Sequence, residues 1–142
     1  MKREIEFRGQ TAKGEWVYGD LVSIPNGDSF DCYIISDFDE RDNIYDLWKY
    51  AIKVIPETVG QYTGLKDNNG KKVYEGDIMA REDCNGKLIE DGVVEYGKFN
   101  CSCCYGVYGW YIKGGDIRDL EGSAPWLEVI GNIFDKESDN GD

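Results

Sequence analysis

Glycines divide this chain into short runs of aromatic and β-branched residues. The sequence has 18 glycines but only three prolines, together with ten tyrosines and four tryptophans. Aromatic and β-branched side chains favour extended strands, whereas glycine favours the turns that connect them. This pattern predicts an all-β fold with many tight turns and little helix.

The clearest strand and turn signals lie in the middle of the chain. Residues 58–63 read as a strand, and residues 66–71 read as a hairpin loop in which Gly70 supplies a positive φ. Val73 then begins the returning strand, and Asn85-Gly86 predicts a further turn. Other segments with strand character are residues 5–7, 15–22, 32–35, 93–96, 107–112 and 126–134, with a turn at 25–28.

Two short segments resemble each other, residues 16–22 and residues 72–79. Each has an aromatic residue, a Gly-Asp pair and two apolar residues, which predicts a strand, a bend and a second strand. In the second copy we expect Gly76 to have a positive φ and the carboxylate of Asp77 to accept hydrogen bonds from nearby backbone amides.

The acidic segment at residues 37–46 is the best candidate for an exposed loop or a boundary. We expect one β domain over residues 1–135, or two β subdomains with a boundary near 37–57, followed by a flexible acidic tail at 136–142. Residues 42–52 fit two interpretations, because their apolar residues have helical spacing at first and then alternate as in a strand.

The formal net charge of −12 restricts the possible partners. Phosphate binding needs clustered cations, so we expect no binding to nucleic acid or to an anionic membrane. The chain has no histidine, which excludes serine–histidine and cysteine–histidine catalysis. Its start lacks the apolar core of a secretory signal, and no apolar run reaches the ~18 residues of a membrane helix, so we expect a cytoplasmic protein.

Four of the five cysteines form the one cluster with obvious chemistry, namely Cys84, Cys101, Cys103 and Cys104. Four thiolates could in principle bind zinc, but the cluster lacks two separated CxxC pairs. Adjacent cysteines in an extended segment also point to opposite faces. We therefore expect reduced thiols, no bound metal and no cofactor.

Two other groups of residues have both a functional and a structural interpretation. The carboxylates of Asp67, Glu75 and Asp77 could support hydrolysis, but turn and bend roles explain them better. Several aromatic residues could form a stacking platform or a peptide groove, although core packing is the default for most of them. They are Trp16, Tyr62, Tyr74, Tyr96, Tyr108, Trp110 and Trp126.

Three segments resemble the YopX family. The sequence Ile-Glu-Phe-Arg-Gly at residues 5–9 is similar to the opening segment of the family, and residues 128–134 are similar to its closing strand. Residues 58–78 resemble its most distinctive block. The matches span nearly the whole chain, although residues 23–55 and 81–125 contribute little to them.

The resemblance implies a phage or prophage origin, small barrels of the SH3 type, two of them packed together in one interpretation, and oligomerisation. It supplies no catalytic residues. We therefore expect a noncatalytic accessory protein that binds an unknown protein partner or forms a homo-oligomer. The alternatives are an acidic decoy that occupies a nucleic-acid-binding protein of the host, and an enzyme of unknown type.

Overall fold

The computed structural model describes residues 4–36, 41, 43–100, 105–114 and 117–135. The chain forms two compact units, Met1–Tyr62 and Thr63–Asp142. Both are built from antiparallel strands, and the helices are short. The prediction of an all-β fold is confirmed. The predicted acidic tail at 136–142 lies outside the described residues.

The first unit is an antiparallel sheet in the order β4-β3-β2-β1-β5. Its last strand continues along the chain into the second unit. The strands are β1 (Phe7–Gln10), β2 (Trp16–Asn26), β3 (Ser29–Ile35), β4 (Ala51–Val54) and β5 (Gly60–Lys66), with 3₁₀ helices at Ile44–Tyr50 and Pro56–Thr58.

Strand β2 changes partner at Gly19. Up to Gly19 it pairs with β1, and from Asp20 onward it pairs with β3, beginning opposite Ile35. A Cβ at Gly19 would collide with the carbonyl oxygen of Ile35, so the two strands approach this closely only because the residue is glycine. The predicted bend is therefore a change of partner within one continuous strand.

Residues 42–52 contain both of the structures between which the sequence could not decide. A 3₁₀ helix occupies Ile44–Tyr50, and β4 begins directly at Ala51. Asn43 caps the helix, since its side-chain oxygen accepts a hydrogen bond from the amide of Tyr45 at 3.0 Å. The helical and alternating patterns therefore describe consecutive parts of the segment.

The core of the first unit is small and lies on one face of its sheet. Cys32, Ile34 and Val54 are its buried members. The partly buried side chains that pack against them come from β1, β2 and the residue just before β5: Phe7, Val17, Leu21 and Val59.

The second unit contains an antiparallel sheet in the order β10-β9-β8-β7-β11, and its strand β6 pairs with β5. A short helical segment connects β10 to β11. The elements are β6 (Lys72–Tyr74), β7 (Asp77–Glu82), β8 (Leu88–Phe99), β9 (Val107–Gly114), β10 (Arg118–Asp119), helix α1 (Leu120–Ser123), a 3₁₀ helix (Ala124–Trp126) and β11 (Glu128–Asn132).

The larger core belongs to this second unit. The helical segment from Leu120 to Trp126 covers one face of the sheet and contributes Leu120 and Ala124, both with no exposed surface. The sheet and β6 supply the other members, with Leu127 from the connection: Val73, Met79, Val94, Ile112, Leu127 and Val129.

The SH3-like barrel implied by the resemblance is not confirmed. In neither unit do the described strands close into a barrel, since each sheet ends in two different strands. In the part of the chain that the structure describes, no helix has the length and apolar character needed to cross a membrane.

Candidate interaction site

Asp67, one of the candidate carboxylates, is buried, and its oxygens accept hydrogen bonds from backbone amides. One of its oxygens, Oδ1, accepts hydrogen bonds from the amides of Asn69 at 2.9 Å and Lys71 at 2.8 Å. The other, Oδ2, accepts from the amide of Val129 at 3.0 Å, 62 residues away in the sequence. The expected turn role is confirmed, and the carboxylate also attaches the loop to β11.

The same turn occurs a second time at Asp83. The sequences of residues 67–71 and 83–87 both read Asp-x-Asn-Gly-Lys. Oδ1 of Asp83 accepts from the amides of Asn85 at 2.8 Å and Lys87 at 2.9 Å, as Oδ1 of Asp67 does in its own turn. This repeat was not predicted from the sequence. Both turns share the two loop bonds, so the bond from the amide of Val129 is the one that Asp67 makes beyond its turn.

Gly76 and Asp77 form the predicted bend between β6 and β7. Gly76 has a φ of 91°, and its amide donates to the carbonyl of Val94. Asp77 is 1% exposed, and its Oδ2 accepts from the amide of Tyr74 at 2.7 Å. The predicted positive φ and the carboxylate bond are both confirmed. Gly19-Asp20 has a different geometry within β2, so the sequence similarity does not extend to structure.

The cysteine cluster cannot be assembled from the described residues. Cys101, Cys103 and Cys104 lie outside them, and Cys84 is exposed. Cys32 is buried in the first unit. No three metal-binding side chains come together within the described ranges. The expectation that the protein holds no zinc stays a prediction.

The candidate aromatic residues divide into two groups. Tyr62 and Tyr74 are buried at 5% exposure, as core packing predicts. Trp16 and Trp110 are partly buried, and the guanidinium of Arg8 lies 4.7 Å from the ring centroid of Trp16. The other three are exposed and are not core residues: Tyr96, Tyr108 and Trp126.

Two of the exposed aromatic residues lie on the part of the β8–β9 hairpin nearer its turn. The pairing of β8 with β7 ends at Val93, and β10 pairs with β9 only at Tyr111 and Ile112. Residues 95–99 and 107–111 therefore form a two-stranded ribbon for most of their length, which we call the arm.

One face of the arm is aromatic and exposed. Tyr96 lies opposite Trp110, and the ring centroids are 5.0 Å apart in an edge-to-face arrangement. Tyr108 lies two residues before Trp110 and therefore shares its face. Tyr96 is 60% exposed and Tyr108 is 70% exposed. The arm presents a row of large apolar rings to solvent.

The opposite face of the arm is closed by its own rings. Phe99 stacks on Tyr111 with centroids 5.1 Å apart, and Phe99 is buried. A Cβ at Gly97 would lie 3.9 Å from the ring of Tyr111, and one at Gly109 would lie 3.9 Å from the ring of Phe99. The rings thus lie beside the two opposed glycines and supply packing that the glycines lack.

Tyr111 also interacts with Glu95, its partner across the strands. Its hydroxyl donates a hydrogen bond to Oε1 of Glu95 at 3.2 Å. Desolvation, the negative charge of Glu95 and this hydrogen bond, in that order, raise the pKa of Tyr111 above its ordinary value of 10.0.

Glu95→Gln should lower the pKa of Tyr111, because two of its three causes depend on the carboxylate. Since the folded-state pKa is raised, the stability that this pair contributes is present below pH 10 and is lost as the pH rises through the folded pKa. NMR titration of ring-labelled tyrosine, with Tyr111→Phe to assign the signal, measures the shift. An unchanged midpoint in Glu95→Gln would contradict this assignment.

The arm differs in charge from the rest of the chain. Its only ionisable residues at neutral pH are Glu95 and Lys98, so its formal charge is zero in a chain of −12. Among the described residues, no strand pairs with the outer edge of β8 beyond Val94 or with that of β9 before Tyr111. The arm therefore combines exposed aromatic surface, unpaired strand edges and no net charge.

The family model described as YopX protein matches residues 6–138. The chain belongs to the YopX family. No curated protein matches it. The match includes both units and the arm. The similarity therefore covers nearly the whole chain and is not confined to the three short segments.

Proposed function

We propose that this YopX-family chain is a noncatalytic module that self-associates through the aromatic face of the arm and serves a phage or prophage as an accessory protein. The observation that supports this most directly is a change of environment along one strand face. Val94 and Ile112 are fully buried in the core, whereas Tyr96 and Tyr108 on the same face are largely exposed. An apolar strand face that continues from the core into solvent is typical of an interaction surface.

A second copy of the chain is the partner that this surface favours. Two chains of charge −12 repel each other, and the neutral arm is where they can approach without bringing further carboxylates together. An isolated two-stranded ribbon is marginally stable in water, so pairing with another ribbon stabilises both. The same aromatic face on two copies, packed about a two-fold axis, is self-complementary, as a symmetric dimer requires.

Tyr108→Lys should weaken self-association by about tenfold or more, because exposed tyrosines at interface centres contribute strongly and a lysine adds a desolvation penalty. Sedimentation velocity over a concentration series measures the effect. Tyr45→Lys is the matched control, since Tyr45 is 89% exposed on the 3₁₀ helix of the first unit. It introduces the same charge change on a residue of the first unit, outside the arm, and should leave the association constant unchanged.

Two results would contradict the proposal. A wild-type chain that stays monomeric at the highest soluble concentration has no self-association to explain. Equal weakening by the Tyr108 and Tyr45 variants would place the interface elsewhere or attribute the effect to net charge. The acidic-decoy alternative needs a contiguous acidic stripe, and four of the five acidic residues of the segment 37–46 lie outside the described residues.

A further inference from the structure

The second unit contains a small cavity of about 280 Å³ beside its core. Arg118 lies opposite Ile112, and Arg81 lies two residues after Met79, so both arginines are on the core-facing side of the sheet. The helical segment between β10 and β11 forms the other wall. The lining residues are Arg81, Arg118, Gly122, Ser123, Trp126 and Leu127.

A β-bulge directs a carboxylate toward both arginines. Met79 pairs with Gly92 and Ala80 pairs with Glu90, which leaves Asp91 as the extra residue of β8. Bulges redirect side chains in this way. The side chain of Asp91 is 10% exposed, and its oxygens lie 3.8 Å from Nε of Arg81 and 3.1 Å from Nε of Arg118.

This buried carboxylate leaves the two arginines incompletely neutralised. Two guanidinium groups face one carboxylate, so the cluster has a net charge of +1. Oδ2 of Asp91 and Nε of Arg118 are both buried without a hydrogen bond, because their 3.1 Å contact does not lie along the N–H direction. No other described residue forms an ion pair with either guanidinium. The site therefore has donor capacity for an anion that the chain does not use.

An exposed indole borders the same cavity. Trp126 lies at the end of the 3₁₀ helix and is 79% exposed although it lines the cavity. A planar ligand ring can stack on an exposed tryptophan face, and arginine forks bind phosphate or carboxylate with two parallel hydrogen bonds. The two features lie side by side in a chain that is otherwise strongly acidic.

We propose that this cavity binds a small anion that carries a flat ring, with its phosphate or carboxylate on Arg81 and Arg118 and its ring on Trp126. The volume is at the lower end of ligand sites, which run from about 300 to 1,000 Å³, so the ligand is the size of a nucleoside monophosphate or smaller. A nucleotide and an aromatic carboxylic acid share this chemistry. The site is independent of the arm.

Isothermal titration calorimetry of the full chain tests the proposal with adenosine 5′-monophosphate and indole-3-acetate as probes. Adenosine and inorganic phosphate each supply only half of the chemistry and should bind much more weakly than the monophosphate. Binding of the monophosphate alone assigns the anion to phosphate, and binding of indole-3-acetate alone assigns it to carboxylate. Binding of neither probe, or equal binding of adenosine and its monophosphate, would overturn the proposal.

Three variants locate the binding on these residues. Arg81→Gln and Trp126→Ala should each weaken binding by about tenfold, since each removes one of the two recognition elements. Asp91→Asn should strengthen binding severalfold, because it removes the competing carboxylate and raises the local charge to +2. A purely structural role for Asp91 predicts the opposite direction.

Lys66→Gln is the control, because it removes an exposed cation that does not line the cavity and should leave affinity unchanged. Thermal melts establish that each variant is folded. If Asp91→Asn proves unfolded, Trp126→Ala remains decisive, because so exposed a side chain contributes little to the fold. Affinity within twofold of wild type in both Arg81→Gln and Trp126→Ala would contradict the assignment.

Discussion

Asp67→Ala should lower the free energy of unfolding by about 3 kcal/mol, because three backbone amides lose their acceptor and one of them is buried. That one is the amide of Val129, which donates to Oδ2 at 3.0 Å. Asp67→Asn should cost less. The side-chain oxygen of asparagine can still accept the two loop bonds, and only the bond from Val129 is lost, because the side-chain NH2 would then face the backbone N–H of Val129. Denaturant unfolding monitored by tryptophan fluorescence measures both values.

Asp83→Ala is the matched control for this prediction. Asp83 makes the same two loop bonds as Asp67 within the same five-residue sequence pattern, but among the described residues its carboxylate has no bond to another strand. The two loop bonds are more exposed at Asp83, and their loss should cost about 1 kcal/mol. If the two alanine variants lose equal stability, the bond to Val129 contributes nothing and the proposed attachment of the loop to β11 is wrong.

Asp77→Ala should cost about 2–3 kcal/mol, since it removes a fully buried carboxylate that accepts a hydrogen bond from the amide of Tyr74. Asp77→Asn should cost less, because an amide oxygen can accept the same bond. Gly76→Ala should cost about 1 kcal/mol or more, because a Cβ strains the backbone at a φ of 91°. Urea titrations of the three variants give the order of these effects.

Gly14→Ala separates backbone strain from the packing around the bend. Gly14 has a φ of 89°, and a Cβ there would contact nothing within 4 Å. It should therefore report the cost of the conformation alone. Wild-type stability in the Gly76 and Asp77 variants, together with lost self-association, would show that the bend is a binding site and would sink the architectural interpretation.

Local turn chemistry could be predicted from the sequence, because the residues that decide it are neighbours. The positive φ of Gly70 and Gly76 and the bond made by Asp77 depend on at most a few adjacent residues, and all three were predicted correctly. The β-rich fold follows from the same local preferences. The strand after Thr58 begins two residues later than expected, because Pro56 starts a 3₁₀ helix that includes Thr58.

Strand partners and bulges could not be predicted, because they depend on residues far apart in the chain. Nothing near Gly19 indicates that β2 leaves β1 for β3 at that point. The bulge at Asp91 depends on the register of β7 against β8, and Arg118 reaches it from another strand. The exposure of Tyr96 and Tyr108 likewise depends on where β7 and β10 stop, which the alternation of residues does not reveal.

The position of β11 in the sheet has a consequence for the nascent chain. Strand β7, whose first four residues are buried, has β8 on one side and β11 on the other, and β11 is synthesised after every other described strand. Until residue 129 emerges, Oδ2 of Asp67 lacks the hydrogen bond from the amide of Val129. Over the same period β7 presents an apolar, unpaired edge. Such an edge can pair with another unfinished chain. Ribosomes stalled before residue 128 would therefore carry aggregation-prone chains, because the sheet of the second unit is complete only once β11 has been made.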